Sequence, residues 1–374
     1  MNDKLTNFQK ILEQNKLDGF IVTNPINIFY LTGFRGLSPT ERESILIFNP
    51  KATLITARLY QQEALKLKSN DLNIKIAAER NEIFKFFEDL LKNSNSASRR
   101  IGFEESNLTF LEHKNIRKLT RAKLVPFRDL AEKQRMIKTD DEIKKIEKAQ
   151  VISQKAFEAV LPTLKIGQIE EEIAEKLEAV MKSLGGQGLA FESIIASGPN
   201  SGLPHYFTGD RRLSINDILL FDFGTKYQDY CADLSRTVFI GRAKDTHKNI
   251  FQHVLTAQKT AIDKINHGIS AHTAHELASE VFRQNTLHDY FLHGLGHGIG
   301  LEVHEKPSLR PSPNLPSKIK PPEAEYLLEN MVFSVEPGLY FPWGGVRIED
   351  LVTIKNGKAK VLGKPMTELV EISI

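Results

Sequence analysis

The chain alternates between two hydrophobic rhythms. Leu5, Phe8, Ile11 and Leu12 recur at helical spacing and predict an amphipathic helix over residues 4 to 15. The apolar run of residues 18 to 23 reads as a buried strand, stopped by Asn24-Pro25, where proline removes a ladder donor. Two further strands are predicted at 44–48 and 52–56, separated by the Asn49-Pro50 turn. Helices are expected over 58–69 and 80–92, and a last strand at 124–126. This alternation predicts an α/β first domain spanning residues 1–130.

Thr139 with Glu142 three residues on has the form of a capping box. Ile143, Ile146, Ala149, Ile152, Ala156 and Val160 follow at helical spacing, so a long helix opens the second domain, residues 131–374. Ile169, Ile173, Leu177, Val180, Met181 and Leu184 form a second stripe over 168–184, ended by Gly185-Gly186. Strand-like runs follow at 193–196, 218–223, 231–240, 332–336 and 351–354, with helices predicted at 244–265 and 270–285. The order helix, helix, strands occurs twice and suggests two similar halves. Residues 305–322 carry six prolines and read as an irregular loop.

Composition narrows the function. A net charge of +3 with no aromatic-interleaved basic patch gives no ground for nucleic-acid binding. The single cysteine, Cys231, permits neither an internal disulfide nor a thiolate metal cluster, so any metal must take oxygen and imidazole ligands. No window of 18 apolar residues suits a membrane span, and the polar N-terminus does not read as a signal peptide. The expected location is therefore the cytoplasm.

Ten of the eleven histidines lie beyond residue 200. His247, His253, His267, His272, His275 and His288 have no acidic cluster of their own and read as structural or exposed. The carboxylates are more telling. Asp222 interrupts the apolar run ILLFDFG and Asp233 lies in YCADLSRT. Aspartate is disfavoured inside strands, and a buried carboxylate needs a compensating cation. Paired as a hairpin, these strands would bring both carboxylates to one site; the competing reading is a salt bridge to Arg236. In HGLGHGIGLEVHE, residues 293 to 305, alternating glycines forbid a stable helix and let backbone approach a site. Glu336 in SVEPG follows an apolar strand-like run and Glu349 in RIED lies in another strand-like stretch; taken singly, each reads as a surface or salt-bridged residue. The set Asp222, Asp233, His297, Glu336 and Glu349 suits two hard or borderline divalent ions about 3.5 Å apart. A hydroxide held between them would be the nucleophile.

Taken in this order, those five segments resemble the pita-bread metallopeptidases (peptidase family M24), which include Xaa-Pro aminopeptidase, Xaa-Pro dipeptidase, methionine aminopeptidase and the metal-free creatinase. The segment NPINIFYLTGF, residues 24 to 34, resembles the creatinase/prolidase N-terminal domain, which methionine aminopeptidases generally lack. The resemblance implies an α/β N-terminal domain and an α+β pita-bread C-terminal domain with internal pseudo-twofold symmetry. It implies Asp222 as a ligand of the first metal, Asp233 and Glu349 as bridging carboxylates, and His297 and Glu336 as ligands of the second. Glu336 would also handle the proton of the attacking water. His205 would contact the scissile region, His304 would stabilise the tetrahedral intermediate, His293 would line the proline side, and Arg347 would fix Glu349 or anchor substrate. Manganese is the expected metal, with cobalt and zinc as alternatives, and a homodimer is implied. The chain departs from many relatives at TARLY, residues 56 to 60, where they carry a compact DxRY. The expected reaction is that of an Xaa-Pro aminopeptidase. The alternative is an Xaa-Pro dipeptidase, in which Arg347, Arg310 or Arg42 would catch the proline carboxylate. A third possibility is an inactive binding protein on the same scaffold.

Overall fold

A computed structural model describes residues 3–36, 41–79, 82–83, 86, 98–311 and 325–373. The chain divides into two compact units, Met1–Arg135 and Met136–Ile374.

The first unit contains α1 (Asp3–Gln14), β1 (Gly19–Val22), α2 (Pro25–Thr32), β2 (Ser44–Phe48), β3 (Ala52–Ala57), α3 (Gln61–Lys66), β4 (Leu72–Ala77), β5 (Arg100–Glu104), α4 (Phe110–Leu119), β6 (Lys123–Phe127) and most of α5 (Leu130–Met136). Its six strands form one sheet in the order β4-β3-β2-β1-β5-β6. β1, β2 and β3 are buried along their whole length, which is why they read as unbroken apolar runs. The helix expected over 58–69 is shorter: a 3-10 turn at Arg58–Tyr60 leads into α3, which ends before Leu67. Most of the helix expected over 80–92 lies outside the described residues.

The second unit opens with α6 (Asp140–Val160), where Thr139 and Glu142 form the reciprocal capping box. α7 (Glu170–Ser183) follows. Next come β7 (Ile194–Ser197), β8 (Ile218–Phe223), the short β9 (Lys226–Tyr227) and β10 (Tyr230–Cys231), and β11 (Leu234–Ile240). The order then recurs: α8 (Asp245–Lys264), α9 (Ala271–Gln284), β12 (Gly296–Gly298), β13 (Glu305–Leu309), β14 (Val332–Val335), β15 (Gly338–Phe341), β16 (Gly344–Arg347), β17 (Asp350–Lys355), β18 (Lys358–Val361) and β19 (Glu371–Ile372). One sheet has the order β19-β11-β8-β7 and the other β13-β12-β14-β17-β18. Each helix pair covers its own apolar core. Ile152, Phe157, Ile173 and Leu177 pack with Phe221 and Phe223 in the first half, and Phe251, Ala274 and Phe282 with Phe333 and Val352 in the second. At about 1.5–3 kcal/mol per large apolar side chain, these cores hold the strands whose ends carry the polar residues.

Two expectations are corrected here. The strand read over 231–240 is broken at Ala232-Asp233, between β10 and β11, so Asp233 leaves the ladder. The loop read over 305–322 begins as β13, since Pro307 occupies an edge strand, where a missing donor is tolerated; residues 312–324 lie outside the described set. Among the described residues no helix is long and apolar enough to cross a membrane.

Candidate metal centre

Strand ends and one short strand bring the polar residues together. β8 and β11 are antiparallel, with Asp222 opposite Ser235. Asp233 lies two residues before Ser235. Glu336 leaves the end of β14, its N–H bonded to Leu295 O at 2.8 Å. Glu349 directly precedes β17, its N–H bonded to Ser235 O at 3.1 Å. His297 sits in the middle of β12, its N–H bonded to Ser334 Oγ at 3.0 Å. The glycines around it act as the sequence suggested. A Cβ on Gly296 would collide with Ser334 O, and one on Gly298 with Lys306 O, so β12 can lie between its neighbours only without side chains there.

A cavity of about 300 Å³ is lined by Asp222, Asp233, His297, Glu336, Glu349, His205, His293, His304 and Arg347. Ligating atoms of Asp233, His297 and Glu349 lie within 4.8 Å of one another. His297 Nε2 is 3.3 Å from Glu336 Oε1 and 3.6 Å from Asp233 Oδ2. Asp222 stands to one side, its Oδ2 accepting from Arg347 Nη2 at 2.6 Å. Arg347 reaches Glu349 only through Ser235: its Nε donates to Ser235 Oγ at 2.8 Å, and that hydroxyl donates to Glu349 Oε2 at 2.8 Å. His205 and His304 are exposed, whereas His293 is half-buried and shares a hydrogen bond of 2.8 Å with Tyr340 OH.

The electrostatics are those of a crowded acid cluster. Burial, then the charges of Glu349, Asp222 and Glu336, push the Asp233 carboxyl well above its usual range. Burial, then Glu336 and Asp222, do the same to Glu349. Burial opposes ionisation of Glu336, but its hydrogen bond and charge contact with His297 outweigh it and draw it to about 2. His297 is correspondingly lifted to about 9 against its own burial. Glu349 Oε1 is buried with no hydrogen-bond partner. Four clustered carboxylates, one with an orphaned oxygen, and a convergent imidazole fit divalent cations, which would replace the protons the cluster otherwise needs.

Behind the cavity lies a network that the sequence reading missed. Arg236 pairs with Asp350, not with Asp222 or Asp233: Nη2 donates to Asp350 Oδ1 at 2.7 Å and Nη1 donates to the carbonyls of Glu349 at 2.5 Å and Ser235 at 3.1 Å. Gln258 Nε2 on α8 is within reach of Asp350 Oδ2 at 3.1 Å, Val335 O at 3.2 Å and Ile348 O at 3.3 Å. The backbone beside Ser235, Glu336 and Glu349 is thereby tied to one buried cluster. His275, read as structural or exposed, is buried; its Nδ1 accepts from Leu295 N–H at 3.2 Å, and the Leu295 carbonyl holds Glu336. The one local hint of this network was the strand-like run 351–354 that directly follows Asp350.

The sequence profile of "Metallopeptidase family M24" matches residues 144–356, and that of "Creatinase/Prolidase N-terminal domain" matches residues 4–137. The Xaa-Pro dipeptidase of Pyrococcus furiosus is 34% identical over 372 residues, covering 99% of this chain and 100% of the relative. Among solved structures, an Xaa-Pro dipeptidase from Bacillus anthracis superposes with a TM-score of 0.88 at 31% identity, covering 99% of each chain. An X-Pro aminopeptidase from Thermotoga maritima MSB8 superposes with a TM-score of 0.82 at 30% identity, covering 98% of this chain and 99% of that one. The expected fold is borne out: a creatinase-type α/β unit followed by an α+β pita-bread unit.

Proposed function

We propose that this chain, which belongs to metallopeptidase family M24, hydrolyses the Xaa-Pro bond of dipeptides with two divalent ions held in its acidic cavity. The observation that carries the reading is the convergence of four carboxylates and the His297 imidazole within a single cavity, with Glu349 Oε1 left unpaired. Asp222, Asp233, His297, Glu336 and Glu349 would hold the ions. When bound, such ions neutralise the cluster, polarise the scissile carbonyl and make water acidic enough to attack near neutral pH. The oxygen-rich donor set favours manganese over cobalt or zinc.

The remaining steps belong to side chains. Glu336 Oε1 faces His297 and Ser334 Oγ, the latter at 3.1 Å, which leaves Oε2 to take a proton from the attacking water and return it to the proline nitrogen. His304, whose ring centroid is 4.3 Å from that of His297, donates a hydrogen bond to the oxygen of the tetrahedral intermediate. Partial burial, then the neighbouring His297 charge, hold its pKa below the usual histidine range. Arg347 is committed to Asp222, Ser235 and Tyr340, and serves to orient Asp222. His293, beside Tyr340, lines the proline side, and His205 meets the substrate at the exposed edge.

The relatives' names favour the dipeptidase over the aminopeptidase expected from the sequence. Arg310 adds a physical reason. Of the three arginines considered, Arg42 is bound to Glu112 and Asn107 in the first unit and Arg347 is bound to Asp222, whereas Arg310 is exposed and lines the cavity. It is the cation suited to the proline carboxylate of a dipeptide. The aminopeptidase stands as a second reading, on the likeness to the Thermotoga maritima structure. The homodimer implied by the resemblance belongs to either reading. Hydrolysis of Ala-Pro and Ala-Pro-Ala with added manganese separates the two: the dipeptidase cleaves only Ala-Pro, and cleavage of the tripeptide overturns that restriction.

A further inference from the structure

His205 lines the cavity, yet its side chain is exposed, and among the described residues the ring has no hydrogen-bond partner. Its position therefore depends on the backbone that carries it. That backbone is held from both sides. Before it, the Pro204 carbonyl accepts from Arg347 Nη1 at 3.2 Å. After it, Tyr206 OH donates to Glu170 Oε2 at 2.9 Å.

Glu170 is fully buried in the first turn of α7, where a carboxylate suits the helix dipole. Its Oε1 accepts from Ser197 N–H and Ser197 Oγ, both at 2.6 Å. Asn200 Nδ2 approaches both carboxylate oxygens, at 3.2 and 3.3 Å, and also donates to Tyr206 OH at 2.8 Å. One carboxylate thus gathers the end of β7, the 3-10 turn Gly198–Gly202 and the residue after His205. The fully buried acid thus faces four donors, one of which, Ser197 Oγ, is itself bonded by Arg211 Nη1.

We infer that Glu170 is the positioning residue for His205, acting through Tyr206 and Asn200. The inference rests on the proposed peptidase for the role of His205. A carboxylate is needed because it accepts at both oxygens; a glutamine would turn an N–H₂ group toward Ser197 or toward Asn200 and Tyr206.

The test joins kinetics to hydrogen exchange. Tyr206→Phe removes one hydroxyl from a half-buried side chain and keeps the fold. It should lower kcat for Ala-Pro about tenfold with KM little changed, and leave manganese affinity at the wild-type value. In a His205→Ala background the same change should cost nothing further, within about twofold. Glu170→Gln should speed amide exchange across residues 197–206, a readout that needs no substrate. Losses that multiply in the double variant, full activity of Tyr206→Phe, weakened manganese binding in that variant, or unchanged exchange in Glu170→Gln would each overturn the inference. If the wild-type protein cleaves no Xaa-Pro peptide while exchange still rises in Glu170→Gln, the peptidase reading falls and the anchoring of the segment by Glu170 stands.

Discussion

Replacing Asp350 by asparagine tests the buried cluster behind the cavity. Asp350 is fully buried and accepts from Arg236 Nη2 at 2.7 Å and Gln258 Nε2 at 3.1 Å. Asparagine preserves the shape but offers one acceptor, and turns its N–H₂ toward the other donor. Arg236 is left as a buried cation without its counter-charge. Breaking such a pair costs about 3–5 kcal/mol. Arg236 keeps the carbonyls of Ser235, Glu349 and Lys364 as acceptors, which places the loss near the lower end, about 3 kcal/mol. Trp343, the single tryptophan, lies in the second unit and reports its unfolding alone. In metal-stripped protein, where bound ions add no linkage, the guanidinium midpoint should fall by roughly 0.6 M for a slope of about 5 kcal/mol per M. The paired replacement Arg236→Met with Asp350→Leu removes both charges and should recover most of that loss. An unchanged midpoint in Asp350→Asn, or a double variant less stable than the single one, would refute the pairing argument.

Two further outcomes follow from buried titratable groups. Burial holds the His275 imidazole down at about 4, below the ordinary value near 6.5. The unfolded chain therefore takes up the proton first as pH falls: the stabilisation is complete above about pH 6.5 and is lost toward pH 4, by up to about 3 kcal/mol. Unfolding midpoints at pH 7 and pH 5 should differ more in the wild type than in His275→Asn, and equal differences would contradict this. Lys138 Nζ and Glu305 Oε1 form a buried pair at 2.7 Å; Lys138→Met should lower the melting temperature by about 6–12 °C in calorimetry, and an unaltered value would remove the pair from the account.

Much of the site was legible because its residues break local rules. Asp222 and Asp233 sit in strand-like runs, the glycines around His297 forbid a helix, Glu336 follows an apolar run, and Glu349 lies in a strand-like stretch. The capping box at Thr139 was equally local, four residues long, and it opens α6 as read. The missing parts were non-local or locally atypical. Arg236 and Asp350 are separated by 114 positions, and Glu170 and Tyr206 by 36, so neither pair leaves a sequence signature. β13 was read as loop because proline counts against a strand until the strand is known to lie at an edge. β4, with Asn73 and Lys75 between apolar residues, and β5, which starts at Arg100, were too polar or too short to stand out. His275 has no acidic neighbours in sequence that distinguish it; only the fold shows that it holds Leu295.

The central claim is that the acidic cavity is a dinuclear metal site. Equilibrium dialysis of metal-stripped protein against manganese, followed by metal analysis, tests it most directly. The account predicts two ions per chain in the wild type and loss of both in Asp233→Ala, with the variant still folded by circular dichroism. A wild type that binds none, or an Asp233→Ala variant that binds as the wild type does, would contradict it.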